Sequence, residues 1–183
     1  MILLFCGLSG AGKTTLATHV KDKLIDDNFH VEIIDADKYR ETLFPDLCYS
    51  KEHRFENIRR LGFIASIFSS HNILTIISAI MPYDKSRAEL IERYEQVKII
   101  HIDCPIDRLI ERNTKGLYKR ALLPIDHPEK IFNLTGINDP FEKPINPDLY
   151  INTDVLSVEQ STLKIYSFIK ETILSQSNTE KHF

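Results

Sequence analysis

Residues Gly7 to Thr15 read GLSGAGKTT, and the residue types in this stretch suit the handling of a polyphosphate. Backbone N–H groups wrap phosphate oxygens only where no side chain blocks the approach, which is the use of Gly7, Gly10 and Gly12. Lys13 adds a mobile cation for the β/γ region, and Thr14 offers a hydroxyl to Mg2+. The stretch fits G-x-x-x-x-G-K-[ST] in full, with a strand-like apolar run before it and a helical apolar pattern after it. A helix that begins at Lys13 aims its positive dipole end at the same phosphates. The candidates for holding a nucleoside triphosphate are therefore Gly7, Ser9, Gly10, Ala11, Gly12, Lys13, Thr14 and Thr15.

A second group of charges follows. The segment DADKYR closes the second strand-like run and puts Asp35 and Asp37 in the crevice beside the glycine loop. Two carboxylates separated by one residue could divide two tasks: one orients or takes a proton from an attacking hydroxyl, the other holds metal-bound water. Which is which stays open at this level. Arg40 and the run HRFENIRR, with Arg54, Asn57, Arg59 and Arg60, supply cations for a multiply charged acceptor. Arg54 falls four residues before Ile58, so it lies at the edge of an apolar helical stripe. Lys115, Lys119 and Arg120 sit in NTKGLYKR and would form a cationic lid. The seven histidines show no metal-ligand spacing, and no NKxD-like stretch for guanine is present. Such a chain is too short for a motor domain's added elements, which leaves a small kinase as the leading class.

These residues need a scaffold, and the pattern supplies one. Strand-like runs lie at 1–6, 30–35, 73–80, 97–103 and 149–153, several of them apolar on both faces as parallel strands require. Helical stripes fall between them: Leu16, Val20, Leu24 and Ile25; then Ile58, Leu61, Ile64, Ala65 and Phe68; then Leu90, Ile91 and Tyr94. Pro105 suits the first turn of a short helix, and Ser157 with Gln160 makes a capping box for the last one. Alternating strands and helices predict a three-layer α/β fold around a parallel sheet of about five strands. Residues 114–147 break the rhythm with five prolines and form a long functional loop. The expected organisation is one domain over 1–174 and a polar, frayed tail over 175–183.

Composition narrows the partners. A net charge of -3 does not draw nucleic acid or a membrane surface to the whole molecule, so any anion must be held by a local basic cluster. No apolar run approaches the ~20 residues of a membrane span, and no basic leader precedes the first strand. Cys6, Cys48 and Cys104 lie far apart with no CxxC pair, which fits a reducing cytoplasm and idle thiols.

With these residues assembled, the chain resembles the adenylylsulfate (APS) kinase family. The match runs in order through GLSGAGKTT, DADKYR, HRFENIRR, SAIMPY, NTKGLYKR, LTGINDPFE and NPDLYINTD. The resemblance implies a P-loop fold of the nucleotide-kinase type, a homodimer, and use of ATP with Mg2+. It implies phosphorylation of the 3′-hydroxyl of adenosine 5′-phosphosulfate, giving PAPS and ADP. Asp35 matches the family's base, and Asp37, with Thr14, matches the positions near Mg2+. Arg40, Arg54 and Asn57 match positions that hold the sulfonucleotide, with Tyr49 where an aromatic ring is common. Ile80, Met81 and Leu134 are the other acceptor-side positions; Arg112 matches the residue near the ATP base, and Lys115 and Lys119 match lid lysines.

The departures fall on the acceptor side. Met81 and Asp84 stand where the family has serine and arginine, and Leu134 stands where it has a phenylalanine that stacks on the acceptor base. Such stacking is worth ~1–3 kcal/mol, so its loss relaxes base choice. Lys38 is an added cation in DADK, and the stretch between Arg120 and Leu134 is longer and richer in proline than the family's. An intact phosphate loop beside a changed acceptor region leaves a second reading open: a kinase of another nucleotide-linked anion, such as cytidine diphosphoramidate. A third reading, an idle nucleotide-binding module, conflicts with the retention of Lys13, Thr14, Asp35 and the lid lysines.

Overall fold

The computed structural model describes the backbone of residues 1–179 and the side chains of 1–175. Along the described chain run β1 Ile2–Cys6, α1 Lys13–Asp26, β2 Val31–Asp35, α2 Ala36–Leu43, α3 Lys51–Ser70 and β3 Leu74–Ser78. They are followed by α4 Asp84–Arg93, β4 Val97–Asp103, α5 Ile106–Arg112, α6 Leu117–Ala121, β5 Leu149–Asn152 and α7 Val158–Thr179. The strands form one sheet in the order β2-β3-β1-β4-β5, with every pairing parallel.

Every residue of β1 and β3 is buried, as expected for aliphatic strands covered on both faces. Alternation along β1 divides the core. Leu3 and Phe5 pack with Leu16, Val20 and Leu24 of α1 and Ile165 and Ile169 of α7. Ile2, Leu4 and Cys6 pack on the other face with Ile58, Leu61 and Ala65 of α3 and Leu90 of α4. The result is a three-layer P-loop fold whose phosphate-loop sequence leaves the central strand. Ile25 and Ile91, expected on the helical stripes, are each 47% exposed. Each lies one residue past a buried leucine, about 100° round the helix and off the core face.

Three other features depart from the expected outline. A helix absent from the expected stripes, α2, starts at once after β2, because the Asp35 side chain accepts hydrogen bonds from the N–H groups of Asp37 and Lys38. The long loop contains α6, and its proline-rich part is folded back onto that helix. Lys130 Nζ donates to the carbonyls of Ala121 and Leu123, and Arg120 Nε donates to Glu129 O at 3.1 Å. Arg120 is thereby tied into the loop's own fold. Finally, α7 continues to Thr179, into the segment expected as a tail; residues 180–183 lie outside the described residues.

Among the described residues no helix is long and apolar enough to cross a membrane. All three thiols are free, with Cys48 exposed, and burial pushes the Cys6 thiol up to about 11. The capping box of α7 is formed in both directions: Ser157 Oγ accepts from Gln160 N at 3.1 Å, and Gln160 Oε1 accepts from Ser157 N at 3.0 Å. Because α7 carries Ile165 and Ile169 into the core, loss of this cap weakens the whole domain. Ser157→Ala is expected to lower unfolding free energy by about 1 kcal/mol in urea titration, with an unchanged m-value.

Candidate active site

The loop after β1 is held in one shape from several directions. At Gly7, with φ 151°, an added Cβ would lie 2.0 Å from Ile102 O, so only glycine lets the chain pass β4 this closely. Gly12, with φ 100°, caps α1 without any side-chain bond, leaving first-turn N–H groups for an anion. Lys13 is 9% exposed and its Nζ donates to Leu8 O at 2.8 Å, closing the loop on itself. Tyr118 OH of α6 donates to Ser9 O at 2.8 Å, and Thr153 Oγ1, just after β5, donates to Ala11 O at 3.0 Å.

Sheet register brings the carboxylate to the loop. Asp35 pairs with Ser78, and Ser78 pairs with Phe5, so the ends of β2 and β3 lie beside the start of the phosphate loop. Thr14 Oγ1 donates to Asp35 Oδ2 at 2.8 Å and lies 3.4 Å from Ser78 Oγ. Asp35 Oδ1 meanwhile accepts from the N–H groups of Asp37 and Lys38 at 3.1 and 3.3 Å. Asp37 is more exposed and pairs with Lys115 Nζ at 2.8 Å. These groups line a cavity of about 230 Å³ together with Ser9, Gly10, Thr15, Ala79 and Thr114.

A second, smaller pocket opens next to it and shares Asp37, Ala79 and Ile80 as a common wall. Arg40, Tyr49, Arg54, Asn57, Met81 and Pro82 complete it. Arg40 and Arg54 are buried, and both guanidinium groups lie against the Tyr49 ring, at 4.8 and 5.6 Å from its centroid. Arg54 also pairs with Asp139 at 3.1 Å and donates to Asn133 O at 2.6 Å. Asn57 is 3% exposed, and its Oδ1 has no hydrogen-bond partner among the described residues. A buried acceptor without a donor is costly, and here it stands in the wall of a polar pocket. On the far side of Gly12, Arg112 lines a cavity of about 340 Å³ with Thr15, Leu16, Thr153, Ser157 and Ser161.

A sequence model described as adenylylsulphate kinase matches residues 1–152. The chain belongs to the adenylylsulphate kinase family. It is 40% identical over 160 residues to an adenylyl-sulfate kinase of Chloroflexus aurantiacus, covering 87% of this chain and 83% of the relative. It is also 40% identical over 167 residues to an adenylyl-sulfate kinase of Halothermothrix orenii, covering 91% and 88%. Among solved structures, the APS kinase of Mycobacterium tuberculosis in complex with AMPPNP and APS matches with a TM-score of 0.85 and 29% identity. That match covers 92% of this chain and 96% of the solved one.

Within this adenylylsulphate kinase family member, the residues singled out in the sequence divide clearly. Gly10, Gly12, Lys13, Thr14, Asp35, Asp37, Ile80 and Lys115 meet around one cavity, and Arg40, Tyr49, Arg54, Asn57 and Met81 meet around its neighbour. Leu134 lines neither; it is buried in the core cluster that also contains Leu8 and Tyr118. Lys119 lines a separate surface depression with Ile110, Glu111 and Leu122. Arg59 pairs with Glu89 and Arg60 with Asp46 and Glu56, so neither faces the site. Sequence reasoning passed over Ser78, Thr114, Tyr118 and Thr153. Ser78 and Thr153 each lie at or just past the carboxyl end of a strand, a position that itself marks the ligand crevice of such sheets.

The donor set suits a hard divalent ion. Thr14 Oγ1 donates a hydrogen bond to Asp35 and keeps lone pairs for the cavity, with Asp37 alongside. Mg2+ needs little more from protein, because it retains water and takes phosphate oxygens as ligands.

Burial lowers the Lys13 ammonium from its ordinary 10.5 to about 8, against an opposing pull from Asp37. Between about 8 and 10.5 the unfolded chain holds this proton and the folded chain releases it, so folding stability rises with pH across that window. Thermal unfolding of the nucleotide-free kinase is expected to show this rise. Lys13→Met should flatten the slope over the same window.

Proposed function

We propose that this chain transfers the γ-phosphoryl group of ATP to the 3′-hydroxyl of adenosine 5′-phosphosulfate, giving PAPS and ADP. The observation that carries the reading is the shared wall of the two cavities. Asp37, Ala79 and Ile80 border both, so a phosphate chain cradled at Gly10–Thr15 ends where an anion held by Arg40 and Arg54 begins. The proposal treats residues 1–174 as one kinase unit acting in the cytoplasm, with 114–147 as its lid segment. A homodimer is the assembly that the family resemblance implies.

In this mechanism Asp35 is the base. Its carboxylate is oriented by three hydrogen bonds, whereas Asp37 is more exposed and engaged by Lys115. Asp35 accepts the ribose hydroxyl proton as the ribose oxygen forms its bond to the γ-phosphorus. The bond from that phosphorus to the β,γ-bridging oxygen breaks, and ADP leaves. The backbone N–H groups of the loop, Lys13 and Lys115 hold the charge that shifts between phosphates. Thr14, with Asp37 through water, would hold Mg2+, which supplies charge neutralisation when bound. Arg112 flanks the cavity assigned to the ATP base, and Asn57 Oδ1 would accept a hydrogen bond from an exocyclic amine of the acceptor base.

One observation favours keeping a second acceptor in view. Leu134 sits in the core and provides no ring to stack on an adenine. Cytidine diphosphoramidate also has an exocyclic amine and an anionic linkage for the two arginines. ADP release with MgATP and each acceptor at matched concentration decides between them. APS is expected to be preferred; preference for the cytidine compound would overturn the choice of acceptor, and turnover of neither would overturn kinase function on these substrates.

Roles within the site are tested separately. Asp35→Ala is expected to lower kcat by about a hundredfold or more while the KM for ATP stays near that of the parent. A weakened ATP site with normal kcat would remove Asp35 from the base role. Lys13→Ala should abolish turnover.

A further inference from the structure

Arg87, on α4, is the largest fully buried side chain among the described residues, at 1% exposed, and it lines neither cavity of the site. Its guanidinium reaches three places. Nη1 donates to the carbonyl of Met81; Nη2 donates to the Asp84 carboxylate and to the carbonyl of Glu142, the last at 2.5 Å. The same two segments are joined again by Asp84 N to Glu142 Oε2 at 2.7 Å and Glu142 N to Pro82 O at 2.8 Å. Met81 and Pro82 are the wall of the acceptor pocket, and Met81 holds a left-handed backbone, φ 48°, that a non-glycine residue rarely adopts. The segment leading to Glu142 includes Asp139, which pairs with Arg54 inside that pocket at 3.1 Å.

From this convergence we propose that Arg87 is a positioning residue for the acceptor: it fixes the Met81 turn and the 139–142 strap as one wall, and so sets acceptor affinity without serving ATP. A planar fork with five donors can hold three acceptors in different directions, which a lysine ammonium on the same stem does not reproduce. A buried cation persists only where such partners surround it. All three Arg87 acceptors lie in segments 81–84 and 142, and none in the phosphate loop. This inference rests on the reading that the Arg40–Arg54 pocket takes the phosphoryl acceptor.

Arg87→Lys in the full chain keeps the charge and removes the fork. Steady-state ADP release is expected to show acceptor KM raised about tenfold, with kcat and the KM for MgATP within about twofold of the parent. Equal losses toward both substrates, or an unchanged acceptor KM in a folded variant, would overturn the role. Should Arg87→Lys fail to fold, Asp84→Ala removes one acceptor at a half-exposed position. It must then give the same split in smaller degree, and no split would equally overturn the role. Hydrogen exchange without substrates separates this inference from the functional reading. The Asp84 and Glu142 amides should exchange faster in Arg87→Lys while residues 7–15 keep parental rates. If the parent phosphorylated neither acceptor, the functional reading would fall alone, and the exchange pattern would still decide whether Arg87 holds the wall. Parental exchange at both amides would overturn it.

Discussion

The hydrogen bond from Thr14 Oγ1 to Asp35 Oδ2 joins the phosphate loop to the strand that carries the proposed base. It exists because the sheet order places β3 between β2 and β1, with Asp35, Ser78 and Phe5 in one register row. In a parallel sheet all the strand ends that carry ligand groups point the same way. A single row therefore delivers a carboxylate and a hydroxyl to the mouth of the loop after β1. Asp35 does a second task from this place, since its other oxygen starts α2. Helix α2 in turn carries Asp37 and Arg40, so one side chain couples the position of the phosphate-loop cavity to that of the Arg40–Arg54 pocket.

Electrostatics reinforces the same geometry. Burial holds the Lys13 ammonium down to about 8, a state that favours the approach of negative charge. Asp37 and Lys115 neutralise each other across the mouth of the cavity, with side chains 64% and 54% exposed. An exposed ion pair of this kind contributes little to stability and separates readily when a polyphosphate offers Lys115 a stronger partner. The buried arginines of the acceptor pocket behave differently. Arg40 and Arg54 are already anchored by the backbone carbonyls of Cys48 and Tyr49, so their forks are set before any anion arrives.

Much of this was legible in the sequence, for physical reasons that differ by element. All five strands are found where aliphatic runs place them: β1 and β3 are buried throughout, while the edge strands β2 and β5 keep partly exposed residues such as Glu32 and Tyr150 among their aliphatic ones. The phosphate loop is legible because close backbone approach restricts residue type so strongly. Arg54 and Asn57 could be placed by their spacing from Ile58 and Leu61, which fixes the inward face of α3. Other features were hidden. The start of α2 hides because a capping aspartate and a candidate base look alike in DAD. Tyr118 and Thr153 hide because each acts through a loop carbonyl more than a hundred residues away, at separations of 109 and 142. Leu134 and Lys119 lie in the expected segments, but their placement is set by packing in the core and by the fold of α6, which spacing in the sequence does not encode.

Donor and acceptor sides are built to different rules, and that difference bears on how such a site can change its substrate. The phosphate loop is held by Gly7, which no other residue can replace against Ile102, and by side chains that reach its carbonyls, Tyr118 at Ser9 and Thr153 at Ala11. The acceptor wall is a turn and a strap pinned by side chains, chiefly Arg54 through Asp139 and Arg87 through Met81 and Glu142. A side-chain pin can be kept while the residues around it are replaced. In the proposed reading, the pocket that would choose the acceptor is thus shaped by side-chain pins that stand apart from the loop that would hold ATP.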